Sequence, residues 1–200
     1  MAYILAGSLA FVIAFFFDLA ALRSIRYLKQ GIGLAFVALF GYAMYGVCFA
    51  TEKLAFPACA GWVGWPLTVI SGGLLVYSVL LEIPFKATYA QSGVGQELVT
   101  TGTYALTRHP GVLWFGLFLL GLAAMSRSKL LLVAGPVWLA LDVVYVWIQD
   151  RFYFPLTFPG YEQYRRETPM LIPTRDSIVR CFRTLRNDRA GCSQKWEVGE

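Results

Sequence analysis

Apolar runs long enough to cross a bilayer dominate this chain and leave little else for it to fold into. A membrane-spanning helix needs about 20 apolar residues. Ala2–Leu22, Ile32–Ala50, Trp62–Ile83 and Leu130–Ile148 meet that length. A fifth run, Pro110–Met125, has 16 residues, roughly 24 Å of helix at about 1.5 Å per residue. It has to be extended, nearly upright, or shielded by its neighbours. Only 14% of the 200 residues are charged, against about 25% in soluble domains. The expectation is an all-α, polytopic membrane protein with five transmembrane helices.

The basic residues orient it. Fourteen of the 17 Lys and Arg residues fall at the ends and connections of one side, from Arg23, Arg26 and Lys29 to the arginine-rich C-terminus. Lys53, Arg127 and Lys129 fall on the other. Positive connections stay inside, so the N-terminus is expected outside and the C-terminus in the cytoplasm. The net charge of +5 then belongs to one surface. It suits membrane lipids rather than nucleic acid, which is not an expected partner. The first run has no basic residues before it and a basic cluster after it, the pattern of an uncleaved first span. Cys48, Cys59, Cys181 and Cys192 lack metal-ligand spacing, and the chain has one histidine; no metal site is expected.

That histidine sits in the stretch with most chemical content, LVTTGTYALTRHPGVLWFGLFLLGLAAM, Leu98–Met125. Pro110 belongs at the first position of a helix, which puts Arg108 and His109 at its positive N-terminal end. An arginine there needs an anion to complete the site. Two readings are open: the carboxylate or phosphate of a ligand, or snorkelling to headgroups. Asp18, Glu82 and Asp142 lie in the cytoplasmic half of their runs. Asp18 and Glu82 read as near enough to the interface to reach water or a basic residue. Asp142 reads as facing a cavity or an interhelical hydrogen bond. Asp142, Tyr145 and Gln149 share one helix face. Gly33, Gly41 and Gly46 are candidates for close helix approach.

The fourth and fifth runs are joined only by Ser126–Lys129, a tight hairpin. Beyond them, a short helix is expected over Gly160–Glu167, then an extended segment held by Pro169 and Pro173. Tyr161 and Tyr164 share a face of that helix. Residues 174–189 read as an amphipathic surface helix with Ile178, Phe182 and Leu185 as its apolar stripe, and 190–200 as a disordered tail. Gly93-Val94-Gly95 begins a dinucleotide-like pattern, but Leu98 replaces the third glycine and no strand precedes it. The expected site is a cytoplasm-facing pocket between the third and fourth spans, with Arg108 and His109 in its corner and Tyr104 and Trp114 beside them. It suits an anionic, partly aromatic cofactor from the cytosol and an apolar substrate from the lipid.

LVTTGTYALTRHP, an apolar hairpin, a Tyr-x-x-Tyr and a proline-bounded exit resemble the isoprenylcysteine carboxyl methyltransferase and phospholipid methyltransferase family of integral membrane methyltransferases. The resemblance covers Leu98–Pro173, within a single domain of residues 1–173 whose cofactor region is 84–173. It implies S-adenosylmethionine as cofactor, a lipophilic small molecule or lipid as substrate, and an active site facing the cytoplasm. The implied cofactor contacts are Gln96, Glu97, Leu98, Val99, Tyr104, His109 and Pro110, with Arg108 beside them; Gly102 and Trp114 join them as further candidates in the same stretch. The catalytic candidates are Arg108, Asp142, Gln149 and Asp150, with Tyr161 and Tyr164 as substrate or lid residues. Two departures matter. Val112 stands where the family often has a tyrosine. Tyr145–Asp150 carries no arginine, and Gln149 and Asp150 occupy the positions of the family's glutamates. The missing arginine argues against a carboxylate acceptor and leaves a thiol, amine or hydroxyl. Two alternatives stand beside this: an NADPH-dependent membrane reductase related to sterol reductases, and a non-catalytic ligand-binding membrane protein of the same fold.

Overall fold

The structure is a computed structural model; it describes residues 1–23, 26–55, 59–83 and 98–189, with Leu22, Arg26, Cys59, Ala60 and residues 187–189 described in their backbone alone. Nine α-helices are seen among them: α1 (Ala2–Leu22), α2 (Arg26–Cys48), α3 (Cys59–Val76), α4 (Thr103–Leu106), α5 (Pro110–Ser126), α6 (Lys129–Ile148), α7 (Phe154–Thr157), α8 (Tyr161–Glu167) and α9 (Arg175–Arg189). A π turn, Tyr77–Leu81, prolongs α3, and a second, Gln149–Tyr153, joins α6 to α7. Four segments, Ala2–Ala21, Tyr27–Cys48, Gly61–Leu81 and Lys129–Thr157, are long and apolar enough to cross a membrane, and Pro110–Ser126 is apolar but shorter. The chain is an α-helical membrane protein with four such spans among the described residues.

The short helix is the shielded one. Phe115, Leu119, Leu122 and Ala123 of α5 join Ile4 and Phe11 of α1, Ala43 and Val47 of α2, and Leu131, Ala134 and Trp138 of α6 in one core. Phe40 ties these helices together, its ring 5.1 Å from Trp138, 5.6 Å from Phe11 and 5.9 Å from Phe115. Trp138 is fully buried, and its indole N–H donates to the Ile4 carbonyl at 3.2 Å. In hydrocarbon that polar atom needs such a partner.

Backbones touch where side chains vanish. A Cβ on Gly64 of α3 would lie 2.7 Å from the Met125 amide nitrogen, and one on Gly121 of α5 would lie 2.7 Å from that of Thr68. The α3–α5 seam is therefore a small-residue contact of the kind that packs membrane helices. On α2 the expectation holds for Gly46, where a Cβ would strike the Tyr3 ring, but not for Gly41, which has nothing within 4 Å.

The α5–α6 hairpin turns through Arg127, whose φ is 53°. Ser128 caps α6 by accepting from the Leu131 N–H at 3.3 Å and donates to the Val47 carbonyl at 2.6 Å. Residues 52–54 pair with 127–129 at this end, through Leu54 N–H to Arg127 carbonyl at 2.7 Å and Lys129 N–H to Glu52 carbonyl at 3.2 Å. An apolar cavity of about 400 Å³ opens here between α2 and α5, lined by Met44, Cys48, Phe118, Leu122 and Met125. Cys48 is a free thiol.

The remaining bounds differ from expectation in one informative place. α2 begins at Arg26, not Ile32, so Lys29 is helical; it is buried with its ammonium 5.3 Å from the Phe17 ring. A long apolar stem and a cation–π contact allow this. α8 starts after Gly160, whose φ of 79° suits glycine, and α9 spans the expected residues. Thr174 and Ser177 cap α9 reciprocally, each side-chain oxygen accepting the other's N–H at 3.2 and 2.9 Å. The expected tail, 190–200, lies outside the described residues.

The seam makes a prediction. Gly121→Ala should lower stability in detergent by about 1–3 kcal/mol through overpacking, while Gly41→Ala should be neutral or slightly stabilising. Equal melting temperatures for the two variants would contradict the packing described.

Candidate functional site

The site is built on the turn before α5. Gly102 has φ 58° and ψ −130°, a region glycine tolerates, and a Cβ there would overlap Glu82 Oε1. The Glu82 carboxylate takes the Thr103 N–H at 2.6 Å and also the Thr103 hydroxyl. Glu82 is thus not an interfacial acid waiting for water: it caps α4. The Gly102 N–H donates to Thr184 of α9 at 3.0 Å. The Tyr104 hydroxyl donates to the Ser78 carbonyl in the first π turn at 3.2 Å, and the Tyr104 carbonyl accepts from the Tyr164 hydroxyl at 2.7 Å. One turn therefore ties α3, α8 and α9 together.

Arg108 is the next knot. Its Nε donates to Asp150 Oδ1 at 2.8 Å and its Nη2 to Oδ2 at 3.2 Å, a bidentate pair with both side chains buried. Its Nη1 donates to the carbonyls of Arg165 at 2.6 Å and Thr168 at 2.8 Å. Four of the five guanidinium N–H groups are thereby used. The anion expected beside this arginine is neither a ligand nor a headgroup but the chain's own Asp150. The Tyr161 hydroxyl donates to the same carboxylate at 2.6 Å, and Arg165 Nε stands 3.7 Å from Oδ2. Burial, and then the adjacent Asp150, push the Tyr161 phenol well up, so it remains a donor. Burial likewise raises Tyr164. Both tyrosines anchor α8 rather than standing open to a substrate. The N–H groups of Arg108 and His109 donate to Pro169 and Met170 at 2.9 and 3.2 Å, so the proline-bounded exit lies along the start of α5.

Polar capacity is left over at this point. Thr107 Oγ1, His109 Nε2 and Trp114 Nε1 are buried and have no hydrogen-bond partner among the described residues. His109 Nε2 stands 3.5 Å from Asp150 Oδ1, and the ring stacks on Phe154 with centroids 5.6 Å apart and 15° between planes. Burial holds its pKa below the ordinary 6.5, with Asp150 working in the opposite direction. Pro110 is fully buried at the first helical position. Leu98 and Val99 are half-buried in the irregular chain ahead of Gly102, and Gln96 and Glu97 lie outside the described residues.

Two expected site residues are elsewhere. The Gln149 side-chain amide donates to Asp18 at 2.8 Å and to the Tyr145 hydroxyl at 3.0 Å, and that hydroxyl donates to the Ala14 carbonyl at 3.4 Å. This face of α6 is turned to α1, so Gln149 joins Asp18 rather than Arg108. Asp142 makes no hydrogen bond among the described residues. The interhelical bond expected for Asp142 belongs instead to Gln149 and Asp18.

The residues that sequence reasoning missed are Thr107, Phe154, Arg165, Thr168 and Thr184. Thr107 is legible as a polar residue next to the Arg-His-Pro corner. The contacts of the others with Gly102, Arg108 and His109 span 45 residues or more in the chain, through backbone carbonyls, a ring face or, for Thr184, a hydroxyl oxygen, and leave no local pattern.

The neutral, buried His109 gives a pH signature. Its folded pKa is lowered, so its stabilising contribution is complete above about pH 6.5 and is lost as the pH falls below that, by up to about 1.4 kcal/mol per unit. Thermal unfolding in detergent should show a larger acid loss in the native chain than in His109→Gln. Parallel curves would contradict the assignment.

Over 115 residues the chain is 35% identical to the cobalt-zinc-cadmium resistance protein CzcN of Cupriavidus metallidurans, covering 56% of this chain and 51% of that protein. It is 30% identical over 115 residues to the nickel-cobalt-cadmium resistance protein NccN of Alcaligenes xylosoxydans xylosoxydans, covering 54% of each. The chain thus spans about half the length of these curated relatives. No solved structure matches it. The model of the family described as "Protein of unknown function (DUF1295)" matches residues 19–167, most of the chain, with Arg108 and Asp150 among them. The chain belongs to this family of membrane proteins.

Proposed function

We propose that the chain is an integral membrane methyltransferase that uses S-adenosylmethionine to methylate a lipophilic acceptor at oxygen, sulfur or nitrogen. The observation that carries this reading is the set of unanswered buried polar atoms at the start of α5: Thr107 Oγ1, His109 Nε2 and Trp114 Nε1. A buried polar atom without a partner costs about 1–3 kcal/mol, and a polar ligand recovers it. The residue types fit the cofactor, which offers a carboxylate, hydroxyls and an adenine as hydrogen-bonding partners. When bound, S-adenosylmethionine supplies a methyl group activated on a sulfonium.

In this reading Thr107, His109 and Trp114 hold the cofactor. Leu98, Val99, Gly102 and Tyr104 form the wall beside them. The aromatic faces of Trp114 and Phe154 favour a cation nearby. Arg108 and Asp150 are positioning residues: they fix the corner against α8 and leave one guanidinium N–H for a ligand. Asp150 has its oxygens taken by Arg108 and Tyr161 and holds the arginine rather than a substrate proton. Methyl transfer then depends on placement of an acceptor lone pair in a water-poor site.

The proposed topology completes the reading. α5 is the fourth of five spans in chain order, short because its neighbours shield it, with the N-terminus outside and the Arg108 corner facing the cytoplasm. The acceptor arrives from the bilayer.

Calorimetric titration of the full chain in detergent with S-adenosylmethionine, and separately with NADPH, tests the proposal. Saturable binding of S-adenosylmethionine is expected. Affinity should fall about tenfold or more in His109→Ala and Trp114→Phe, the loss of one buried hydrogen bond each, and stay unchanged in Lys53→Ala at the other end of the fold. Binding of NADPH alone would make the protein a reductase instead. Binding of neither by a folded sample would overturn the enzyme reading.

A further inference from the structure

α9 has two faces with different neighbours. At about 100° per residue, Ser177, Cys181 and Thr184 share one face, and this face is docked. Ser177 and Cys181 are buried, and Thr184 Oγ1 accepts the Gly102 N–H at 3.0 Å. Arg180, at the edge of the same face, donates to the Glu167 carbonyl of α8. About 100° further round the helix lie Ile178, Phe182 and Leu185. Ile178 is 40% exposed and Phe182 70%. Arg175 and Arg186 border this stripe on the side away from the docked face, and both are exposed.

A helix held by one face cannot turn its second apolar stripe inward. Further exposed apolar residues stand on the segment before α9 and at the end of the long span. Ile172 is 81% exposed on the segment leading into α9, and Phe152 and Leu156, 59% and 61% exposed, end the long apolar Lys129–Thr157 span. Apolar surface bordered by arginine is complementary to a layer that is oily below and anionic above. We propose that α9 lies on the anionic leaflet surface at the α7–α8 end of the bundle. Ile178 and Phe182 enter the boundary between headgroups and acyl chains, and Arg175 and Arg186 engage lipid phosphates. Thr184 and Arg180 then pass that hold to Gly102 and α8, so the leaflet steadies the turn that precedes the Arg108 corner. This inference rests on the chain being a membrane protein and not on the identity of any cofactor.

Amide hydrogen exchange on the full chain in nanodiscs tests it. One sample contains phosphatidylcholine alone, the other phosphatidylcholine mixed with phosphatidylglycerol. Exchange across residues 178–186 should be about tenfold or more slower with the anionic lipid, given about 1 kcal/mol for each arginine near such a surface. Added salt or the double variant Arg175→Gln, Arg186→Gln should remove the difference, while the amides of α5 stay protected in every sample. The same exchange in both lipids overturns the proposal, and needs no variant to be seen. Protection that appears only on adding a soluble acidic protein overturns it too, and assigns the stripe to a protein partner.

Discussion

A buried ion pair at the mouth of a membrane helix is the constraint on which the rest of this fold depends. Arg108 precedes α5, at the end of the helix where a positive charge is least welcome, and it is buried there. The arrangement stands only because Asp150 meets it with both carboxylate oxygens while two carbonyls from the segment after α7 take further protons. Burial makes each partner dependent on the other, since removing one leaves an uncompensated charge. The pair therefore dictates where α6 ends, how α8 folds back, and why residues 168–170 run beside the start of α5. The aromatic wall around it, Phe154 on His109 and Tyr161 against Phe154 at 5.4 Å, keeps water from screening it.

Much of this is legible in the amino-acid sequence. The spans follow from length and hydropathy. His109-Pro110 sets the start of α5, Gly160 the start of α8, and the Thr174–Ser177 region the start of α9, because caps and prolines act within a few residues. Pairing is not legible in the same way. Arg108 needs an anion, but Asp150 lies 42 positions away, and a ligand or a headgroup satisfies the same electrostatic demand. Gln149 and Asp150 are neighbours in sequence with opposite allegiances, one to Asp18 on α1 and the other to Arg108. Helical geometry separates adjacent side chains by about 100°, and only the packing decides which direction meets which helix. Lys29 misleads for a related reason: a lysine near a span end reads as a loop residue, yet its stem and the Phe17 ring let it enter the bundle.

The two π turns fit the same logic. Each widens a helix near the C-terminal end of an apolar span, and π turns often mark functional sites. The first presents the Ser78 carbonyl to Tyr104; the second carries Asp150. Between them the start of α5 is held from both sides, and the unanswered atoms of Thr107, His109 and Trp114 lie at the point so held. A rigid corner with spare polar capacity is what a cofactor pocket needs. The 400 Å³ apolar cavity near Met125, at the other end of α5, offers no such chemistry.

The most direct test of the central claim is a double-mutant cycle on the pair, read by unfolding of the full chain in detergent. Arg108→Met and Asp150→Leu should each lower stability by about 3–5 kcal/mol, and together by far less than the two losses added, because the double variant leaves neither charge of the pair buried alone. Losses that simply add would show that Arg108 and Asp150 act independently, and would contradict the account of the fold and of the site built on them.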